Sequence, residues 1–452
     1  MTSNSHESLK LPEAHPALVV ARAVAAAGGR ALVVGGWVRD RLLGREADDD
    51  DIDLEVFGLE PELLEGVLAE SGPVRLVGQS YPIYQVGGLA LDVSIPDTAD
   101  FADAARRRDL RINAIGWDPL AGSLEDPHGG QADLAAGILR AVDPARFGDD
   151  PLRGLRSVQL AARLEMRLDE PLRALCAASD LASVPVERIY AEWKRILLRA
   201  GRPSIALTLL EELELLAFFP ELEALVGVPQ DPEWHPEGDV WVHTGRVLDQ
   251  AARLRSGDER HDLLLMFGAL CHDLGKPATT EEREGRIVSR KHSESGREPS
   301  RSFLEGLRAP LWLVTGVVAL VQHHLAPAHF VREPGAAGAK AYRKLARRLA
   351  AAGVDFELLY QVARADHLGC GTADARAGLF DLGDAFLARA REIEDESGTH
   401  ESVVKGRHLL ALGIDAGPEM GKLLAHCRDV QDETGWTDAE AILARVLRPG
   451  SS

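Results

Sequence analysis

The most constraining feature of this chain lies near its N-terminus, where an apolar run, two glycines, a helical pattern and an alternating acidic segment follow one another. Ala31–Val34 is predicted to form a buried strand. The turn at Gly35 and Gly36 then opens a helix, because apolar residues recur at helical spacing after it. Such a turn exposes backbone N–H groups, so a phosphate group can bind there without a side chain.

The next segment alternates between acidic and aliphatic residues, which predicts a strand with Asp51, Asp53 and Glu55 on one face. Two hard oxygen ligands beside a phosphate-binding turn are what a Mg²⁺–nucleotide site requires. Further aspartates precede the strand, so Asp49 and Asp51 remain an alternative pair, although the alternation favours Asp51 and Asp53. A glycine pair or an acidic run alone would indicate only a turn or a solvated loop. Together and in this order, the strand, the glycine turn, the helix and the acidic segment indicate a nucleotide site. The sequence contains neither a P-loop motif nor a dinucleotide-binding motif.

Five motifs resemble, in family order, those of the tRNA nucleotidyltransferases and bacterial poly(A) polymerases, a branch of the nucleotidyltransferase superfamily. The resemblance is specific and covers residues 28–200 closely. The sequence departs from the family pattern at Leu110 and Arg111. It also departs at Asp149, the position at which the family has Glu. The motifs are GWVRDRLLG at 36–44, RRDLRINA at 107–114, DPHGG at 126–130 followed by Asp133, DDPLRGLR at 149–156 and ERIYAE at 187–192.

The resemblance implies an α/β nucleotidyltransferase head in which Asp51 and Asp53 bind Mg²⁺. Asp92, within the aliphatic run LALDVSI, is implied as the third catalytic carboxylate, contacting a metal or the attacking hydroxyl. In two-metal catalysis one ion activates the 3′-hydroxyl and the other stabilises the leaving pyrophosphate. The resemblance implies a larger set of nucleotide-binding residues: Gly35, Gly36, Arg39, Arg107, Arg108, Asp109, Asn113, Asp150, Arg153 and Arg156.

Asp150 and Arg153 are three residues apart, which predicts that they share a helical face. In the resembling family this pair serves as a protein template for the base. The carboxylate accepts from the exocyclic amine of cytosine or adenine, and the guanidinium donates to ring acceptors, so guanine and uracil are rejected. Taken alone, the pair would instead indicate a plain salt bridge.

A histidine-rich region has the order His243, then His272-Asp273, then Asp366, which resembles the HD phosphohydrolase domain. Residues 234–239 are similar to the version of that domain fused to tRNA nucleotidyltransferases. The four side chains can close around a divalent transition metal with open positions for water. A second metal would draw on His292 and on either His323 or His324. Family members with the full set resemble metal-dependent phosphodiesterases or phosphatases, whereas others keep the fold as a scaffold.

Composition limits the cellular setting and the partners. A net charge of −20 argues against sequence-blind adhesion to polyanions, so recognition of the expected tRNA partner requires local basic surfaces. Four widely separated cysteines favour reduced thiols in a cytoplasmic protein. The N-terminal residues resemble an amphipathic helix more than a signal peptide. The apolar run Leu311–Val321 is too short to span a bilayer, so no membrane partner is expected.

The chain is long for a single core and predicts several domains. Strand-like and helix-like runs alternate in the head, whereas helical spacing dominates from about residue 130 onward. The predicted fold class is an α/β head followed by a mainly α-helical remainder. The predicted boundaries are 20–142 for the catalytic head, 143–228 for a helical neck, 235–375 for the HD domain and 395–450 for a helical tail.

The predicted activity is addition of C, from CTP, to the 3′ end of tRNA, with ATP as a further substrate if the complete CCA end is made. Only residues 97–106 separate Pro96 from Arg107. This short connection resembles the CC-adding branch, whose members leave the terminal A to a separate enzyme. The alternatives are a poly(A) polymerase of the same family and a protein that acts mainly as an HD phosphohydrolase.

Overall fold

A computed structural model describes residues 9–45, 52–77, 82–89, 91–332, 337–397 and 402–447. The predicted metal ligand Asp51 and its alternative partner Asp49 lie outside the described residues. The chain packs as two compact units, Met1–Val184 and Pro185–Ser452, here called the first and second units.

The first unit combines short helices with a seven-stranded sheet. Its helices are α1 (Pro16–Ala26), α2 (Gly36–Leu42), α3 (Pro61–Ala69), α4 (Phe101–Ala105), α5 (Gly130–Ala136), α6 (Leu152–Leu164) and α7 (Glu170–Ala177). Its strands are β1 (Arg30–Val34), β2 (Ile52–Phe57), β3 (Val74–Val77), β4 (Ile83–Val86), β5 (Leu91–Ser94), β6 (Gly116–Asp118), β7 (Ser123–Glu125), β8 (Ile138–Leu139) and β9 (Arg167–Leu168).

The large sheet has the order β3-β4-β5-β2-β1-β6-β7. Its β2 and β5 strands are parallel, and its other neighbouring pairs are antiparallel. The predicted alternation of β2 is confirmed, because Ile52 and Leu54 are buried while Asp53 and Glu55 are only partly so. This strand therefore presents its acidic side chains on the face opposite the aliphatic core.

The short connection between Pro96 and Arg107 forms a bend followed by α4. The side chain of Asp100 caps this helix by accepting a hydrogen bond from the Ala102 N–H. Phe101 is buried and packs edge-to-face on Phe57 of β2, with ring centroids 6.3 Å apart. This packing anchors the connection to the core of the first unit.

The second unit is mainly helical. Its helices are α8 (Val186–Arg199), α9 (Ser204–Glu212), α10 (Pro220–Glu223), α11 (Val240–Ala252), α12 (Glu259–Cys271), α13 (Lys276–Thr279), α14 (His292–Ser295), α15 (Arg297–Gly306), α16 (Leu311–His323), α17 (Ala326–Arg332), α18 (Ala339–Ala351), α19 (Phe356–Gly369), α20 (Ala373–Ala377), α21 (Asp381–Ser397), α22 (Gly406–Ala411), α23 (Pro418–Thr434) and α24 (Ala439–Leu447). The predicted fold class, an α/β head followed by a mainly helical remainder, is thus confirmed.

One element of the second unit departs from the helical prediction. Strands β10 (Thr280–Arg283) and β11 (Arg286–Ser289) form a hairpin. Glu284 and Gly285, between the strands, both have positive φ angles, of 54° and 74°. Two such residues in succession form the turn whose twist matches that of a hairpin, so local turn geometry prevails over the surrounding helical pattern.

The centre of the second unit is α12, in which Leu263–Cys271 is buried on all sides. It packs against α8, α11, α16 and α19. The stretch Leu311–Arg332, which comprises α16 and α17, is long and apolar enough to cross a membrane by composition, but half of its most apolar window is buried within the fold. Its packing identifies α16 as a core helix of this unit.

Candidate active sites

Two predicted catalytic carboxylates meet on one face of the sheet. Strands β2 and β5 are parallel and in register, so that Asp53 lies directly opposite Asp92. The aliphatic neighbours of both residues are buried on the other face. The side-chain amide of Gln85, on the next strand, donates to Asp92 Oδ1 at 3.0 Å. The sheet therefore holds two carboxylates side by side.

A cavity of about 490 Å³ opens over this acidic face. It brings together six of the predicted site residues with four further polar residues that were not predicted as site residues. The predicted residues that line it are Asp53, Asp92, Arg107, Arg108, Asp150 and Arg153, and the additional ones are Glu55, Ser94, Asp97 and Asp149.

Gly35 has to be glycine at this position. Its φ angle is +82°, and a Cβ atom would lie 3.0 Å from Asp53 Oδ2 and 3.2 Å from Arg108 Nη1. Both the backbone conformation and the close approach exclude larger residues. The turn that opens α2 at Gly36 therefore abuts the carboxylate and the guanidinium at the cavity.

Arg108 is held at the cavity by Glu55, whose Oε1 accepts from Nη2 at 2.7 Å. Burial lowers the pKa of Arg108, but the carboxylates of Glu55 and Asp53 outweigh it and leave the pKa above its ordinary value. Arg107 forms an ion pair with Asp97. The carboxylates of Asp53 and Asp92 and the guanidinium groups of Arg107 and Arg108 thus line the same cavity.

The structure corrects the prediction that Asp150 and Arg153 share a helical face. Asp150 precedes α6 and has an extended backbone, with φ −133° and ψ 103°. Its Oδ1 accepts from the Leu152 N–H at 3.2 Å, because an aspartate before a helix satisfies an exposed backbone donor. Arg153 lies in the first helical turn and donates to the carbonyl oxygens of Arg146 and Arg107, at 2.7 and 2.5 Å. Both side chains line the cavity, from different backbone conformations.

Four predicted nucleotide-binding residues are joined by hydrogen bonds and one ion pair into a network that is distinct from the cavity lining given above. Arg39 is buried and donates to both carboxylate oxygens of Asp40 at 2.9 Å. It also donates to Asn113 Oδ1 at 2.6 Å, and Asn113 donates to Asp109 Oδ1 at 2.9 Å. Asp109 Oδ2 lies 3.7 Å from Arg156 Nη1. These contacts tie α2 to the motif around Asp109, and a direct role with nucleotide stays a prediction.

The four predicted HD residues converge in the second unit. The Nε2 atom of His243 lies 3.1 Å from Asp366 Oδ1 and 3.4 Å from His272 Nε2. The Nε2 atom of His272 is 3.0 Å from Asp273 Oδ2. His243 lies on α11 and Asp366 on α19, while His272 and Asp273 directly follow the end of α12, and these three helices pack on one another. The order of residues predicted from the sequence therefore corresponds to one cluster in space.

A second group adjoins the first through the other oxygen of Asp273. Asp273 Oδ1 lies 3.4 Å from His292 Nε2, which is 3.2 Å from His324 Nε2. Of the two histidines left open by the sequence, it is His324 that joins the group. The pKa of neighbouring His323 is lowered to about 4, mainly by burial. Asp273 thus contributes one carboxylate oxygen to each of the two groups.

The four histidines of these groups are oriented in the same way, each through a hydrogen bond from Nδ1. The acceptors are Glu237 Oε1 for His243, Ala269 O for His272, Ser289 O for His292 and Val321 O for His324, at 2.8, 2.8, 2.7 and 2.7 Å. Carbonyl and carboxylate oxygens only accept, so each Nδ1 carries a hydrogen, and each Nε2 faces the cluster as the nitrogen that could bind a metal in the neutral imidazole. This donor set fits a divalent transition metal.

The electrostatics of the cluster also suit cation binding. Burial raises the pKa of Asp366, but hydrogen bonding to His243 and the charge of His272 hold it well below its ordinary value. Burial lowers the pKa of His324 to about 3 and also lowers that of His292. Both shifts favour the neutral imidazole, which is the form that binds metal. At His243 burial lowers the pKa, but hydrogen bonds to Asp366 and Glu237 outweigh it and raise the pKa to about 9.

Three residues near this cluster, Glu237, Lys276 and Gln230, were not predicted from the sequence. Glu237 orients His243, as described above. The ammonium of Lys276 lies 2.7 Å from Asp273 Oδ2 and donates to Gln230 Oε1 at 2.6 Å. Glu237 falls within the segment 234–239 and Lys276 follows the His-Asp pair closely, but neither spacing reveals a contact across the fold. A cavity of about 390 Å³, lined in part by Trp234, His324, Asp366 and Phe380, gives access to the cluster.

Comparisons with known proteins match domains in both units. Residues 90–140 match the family described as the Poly A polymerase head domain, residues 164–225 the probable RNA and SrmB-binding site of polymerase A, and residues 240–368 the HD domain. The chain is 35% identical over 314 residues to the multifunctional CCA protein of Stenotrophomonas maltophilia, covering 65% of this chain and 75% of that protein.

Two solved structures show the same fold. The Bacillus stearothermophilus CCA-adding enzyme in complex with CTP has a TM-score of 0.64 at 21% identity, with 95% of each chain covered. The Thermotoga maritima CCA-adding enzyme complexed with tRNA has a TM-score of 0.55 at 19% identity, covering 95% of this chain and 93% of that one. The likeness to the Stenotrophomonas protein, together with the matched head and HD domains, shows that this chain belongs to the tRNA nucleotidyltransferase family with a fused HD domain.

Proposed function

We propose that the cavity of the first unit transfers CMP from CTP to the 3′-hydroxyl of tRNA and releases pyrophosphate. The observation that carries this proposal is the in-register pairing of Asp53 with Asp92 at a cavity that three arginines also line. Family membership supports tRNA 3′-end addition, and the Bacillus and Thermotoga enzymes of the same fold were solved with CTP and with tRNA.

Each part of the cavity suits one part of the substrates. Asp53 and Asp92 offer hard oxygen ligands, and they would hold Mg²⁺. When bound, Mg²⁺ supplies activation of the 3′-hydroxyl and neutralisation of the leaving pyrophosphate. Arg107 and Arg108 supply fixed positive charge for the triphosphate. Because Glu55 and Asp53 keep Arg108 charged and in place, little reorganisation is needed when the nucleotide binds.

A direct assay tests this function. The full-length protein is incubated with tRNA transcripts that lack the 3′ CCA and with one labelled nucleoside triphosphate at a time. We expect C to be added from CTP in the presence of Mg²⁺, and no addition from GTP or UTP. Incorporation of ATP alone, on RNAs of varied sequence, would identify a poly(A) polymerase instead. Absence of incorporation with every nucleotide would contradict the proposal.

Selection of the base is assigned to Asp150 and Arg153, which line the same cavity. We expect Arg153→Ala to reduce discrimination of CTP from UTP by about 5- to 150-fold, since one good polar pairing contributes about 1–3 kcal/mol. Its effect on tRNA affinity should be smaller. Arg167→Ala, at an exposed position of β9, is the matched control. Unchanged nucleotide preference in Arg153→Ala would show that the arginine only anchors the backbone carbonyls.

The short connection at residues 97–106 favours a product that ends at CC. Its helix α4 is anchored by Phe101, so it does not resemble the longer, flexible loop that is associated with the change from CTP to ATP in full CCA-adding relatives. With CTP and ATP both present, sequencing of the products should show tRNA ending in CC, completed only when an A-adding enzyme is supplied. Efficient formation of a CCA end by this protein alone would refute the CC stop and leave C addition intact.

A second activity is proposed for the second unit, namely metal-dependent hydrolysis of phosphomonoesters or 2′,3′-cyclic phosphates. The observation that favours it is the pair of adjoining groups that share Asp273, with four imidazole Nε2 atoms directed into them. A scaffold would not need this common orientation. His243, His272, Asp273 and Asp366 would hold one metal, and the second group would hold another.

A further inference from the structure

A third group of metal-binding side chains lies behind the HD cluster. His235, Glu237 and Cys370 offer a nitrogen, a carboxylate oxygen and a sulfur atom within 4.8 Å of one another. His235 Nδ1 lies 2.9 Å from Glu237 Oε1 and 3.8 Å from Cys370 Sγ. The group is separate from the HD cluster, because His243, which adjoins both, directs its Nε2 to the HD side.

The fold brings these three residues together from distant parts of the chain. His235 and Glu237 precede α11, whereas Cys370 follows the last residue of α19. The Gly371 N–H donates to Glu237 Oε2 at 2.8 Å and so fixes the loop that carries Cys370. The Glu237 side chain is fully buried and the His235 side chain is 19% exposed. The three side chains are therefore neighbours before any metal binds.

We infer that His235, Glu237 and Cys370 form a zinc site that is distinct from the HD cluster, with solvent as the fourth ligand. Zinc prefers such mixed nitrogen, oxygen and sulfur ligands in a tetrahedral arrangement, with bonds of about 2.0–2.3 Å. In a tetrahedral site with these bonds two ligand atoms lie about 3.3–3.8 Å apart, so ligand atoms separated by up to 4.8 Å have to approach by about 1 Å. The thiolate sets this site apart from the HD cluster, whose ligands are nitrogen and oxygen.

Both access and linkage to the HD cluster support this assignment. His235 and Cys370 line the 390 Å³ cavity, and Glu237 and Cys370 line a second cavity of about 620 Å³. A metal and a solvent ligand can therefore reach the group. Glu237 Oε1 also accepts from His243 Nδ1 at 2.8 Å. Glu237 would thus bind the zinc and also orient the HD residue His243, as outer-shell partners commonly orient metal ligands.

Cobalt(II) provides the test, because a cobalt–thiolate bond gives a charge-transfer band in the near ultraviolet that nitrogen and oxygen ligands do not give. Full-length, metal-depleted protein is titrated with Co²⁺, and we expect this band to appear and then to be lost on competition with Zn²⁺. Cys370→Ser should abolish it. His235→Ala should weaken Co²⁺ binding by more than about tenfold, because loss of a direct ligand costs at least as much as loss of an outer-shell partner.

Two controls separate this site from other thiols and from the HD cluster. Cys427→Ala, which removes a buried thiol in the core of the tail helices, should keep the band. His272→Ala should also keep it, whether or not the HD cluster has hydrolase activity. A wild-type protein without the band, or a band that persists in Cys370→Ser, would overturn the assignment. Nucleotide addition by Cys370→Ser should stay at the wild-type level, so a failed transferase assay cannot be mistaken for a failed zinc site.

Discussion

Replacement of Asp53 by Asn is expected to reduce nucleotide incorporation by about a thousandfold or more. The substitution keeps the size of the side chain but removes a charged oxygen ligand beside Asp92. Metal stabilisation of the transition state is worth several kcal/mol, and each 1.36 kcal/mol changes the rate about tenfold. Single-turnover incorporation of labelled CMP into tRNA lacking its 3′ end measures the effect.

The control for this experiment is Asp103→Asn. Asp103 lies on α4, close in sequence to residues that line the cavity, but its side chain is 61% exposed. This variant should retain full activity. Both variants should keep the tRNA affinity and the thermal unfolding midpoint of the wild type, because Asp53 is only half-buried. Incorporation at the wild-type rate by Asp53→Asn, with Mg²⁺ present, would end the assignment of this carboxylate as a metal ligand.

Replacement of His272 by Ala is expected to abolish phosphohydrolase activity and to remove the transition metal from the HD cluster. His272 Nε2 contacts both His243 and Asp273, so its loss opens the first metal position. Metal content is measured after dialysis, and hydrolysis is measured with phosphomonoesters and with 2′,3′-cyclic nucleotides. C addition to tRNA should continue, because the residues proposed for it lie in the first unit.

His292→Ala supports the same test, since His272 is fully buried and its loss could disturb folding. His292 side-chain exposure is 11%, and it belongs only to the second group. We expect this variant to lose hydrolysis while it keeps the unfolding midpoint. A wild-type protein that binds no transition metal and hydrolyses none of these esters would make the HD cluster a scaffold. That result would leave the proposed transferase function untouched.

The local chemistry of both sites could be predicted from the sequence. The alternation around Asp53 identified which face of β2 carries carboxylates, since strand periodicity reports burial directly. The glycine turn was identified because few residues tolerate the backbone conformation of Gly35. The HD residues were identified from their order along the chain. In each case the evidence was carried by a short segment or by a resemblance in motifs.

Only the tertiary structure showed which of the predicted residues line the cavity. The sequence treated Arg39, Asn113 and Asp109 in the same way as Arg107, yet the first three form the internal network and only Arg107 lines the cavity. Side chains of one chemical type can bind a ligand or satisfy one another. Which of the two occurs depends on how α2 packs against the segment 107–114, and no local pattern encodes that packing.

The sequence by itself determined the family, the acidic face of β2 and the set of HD residues, because these follow from periodicity and motif order. Only the tertiary structure decided that Asp92 lies opposite Asp53, since a parallel pairing joins strands that are far apart in the chain. It also decided between His323 and His324, because neighbouring residues near a helix end point about 100° apart and the packing of α16 selects one of them. The meeting of Cys370 with His235 and Glu237 is likewise a property of the fold, because contacts between distant segments arise only when helices pack.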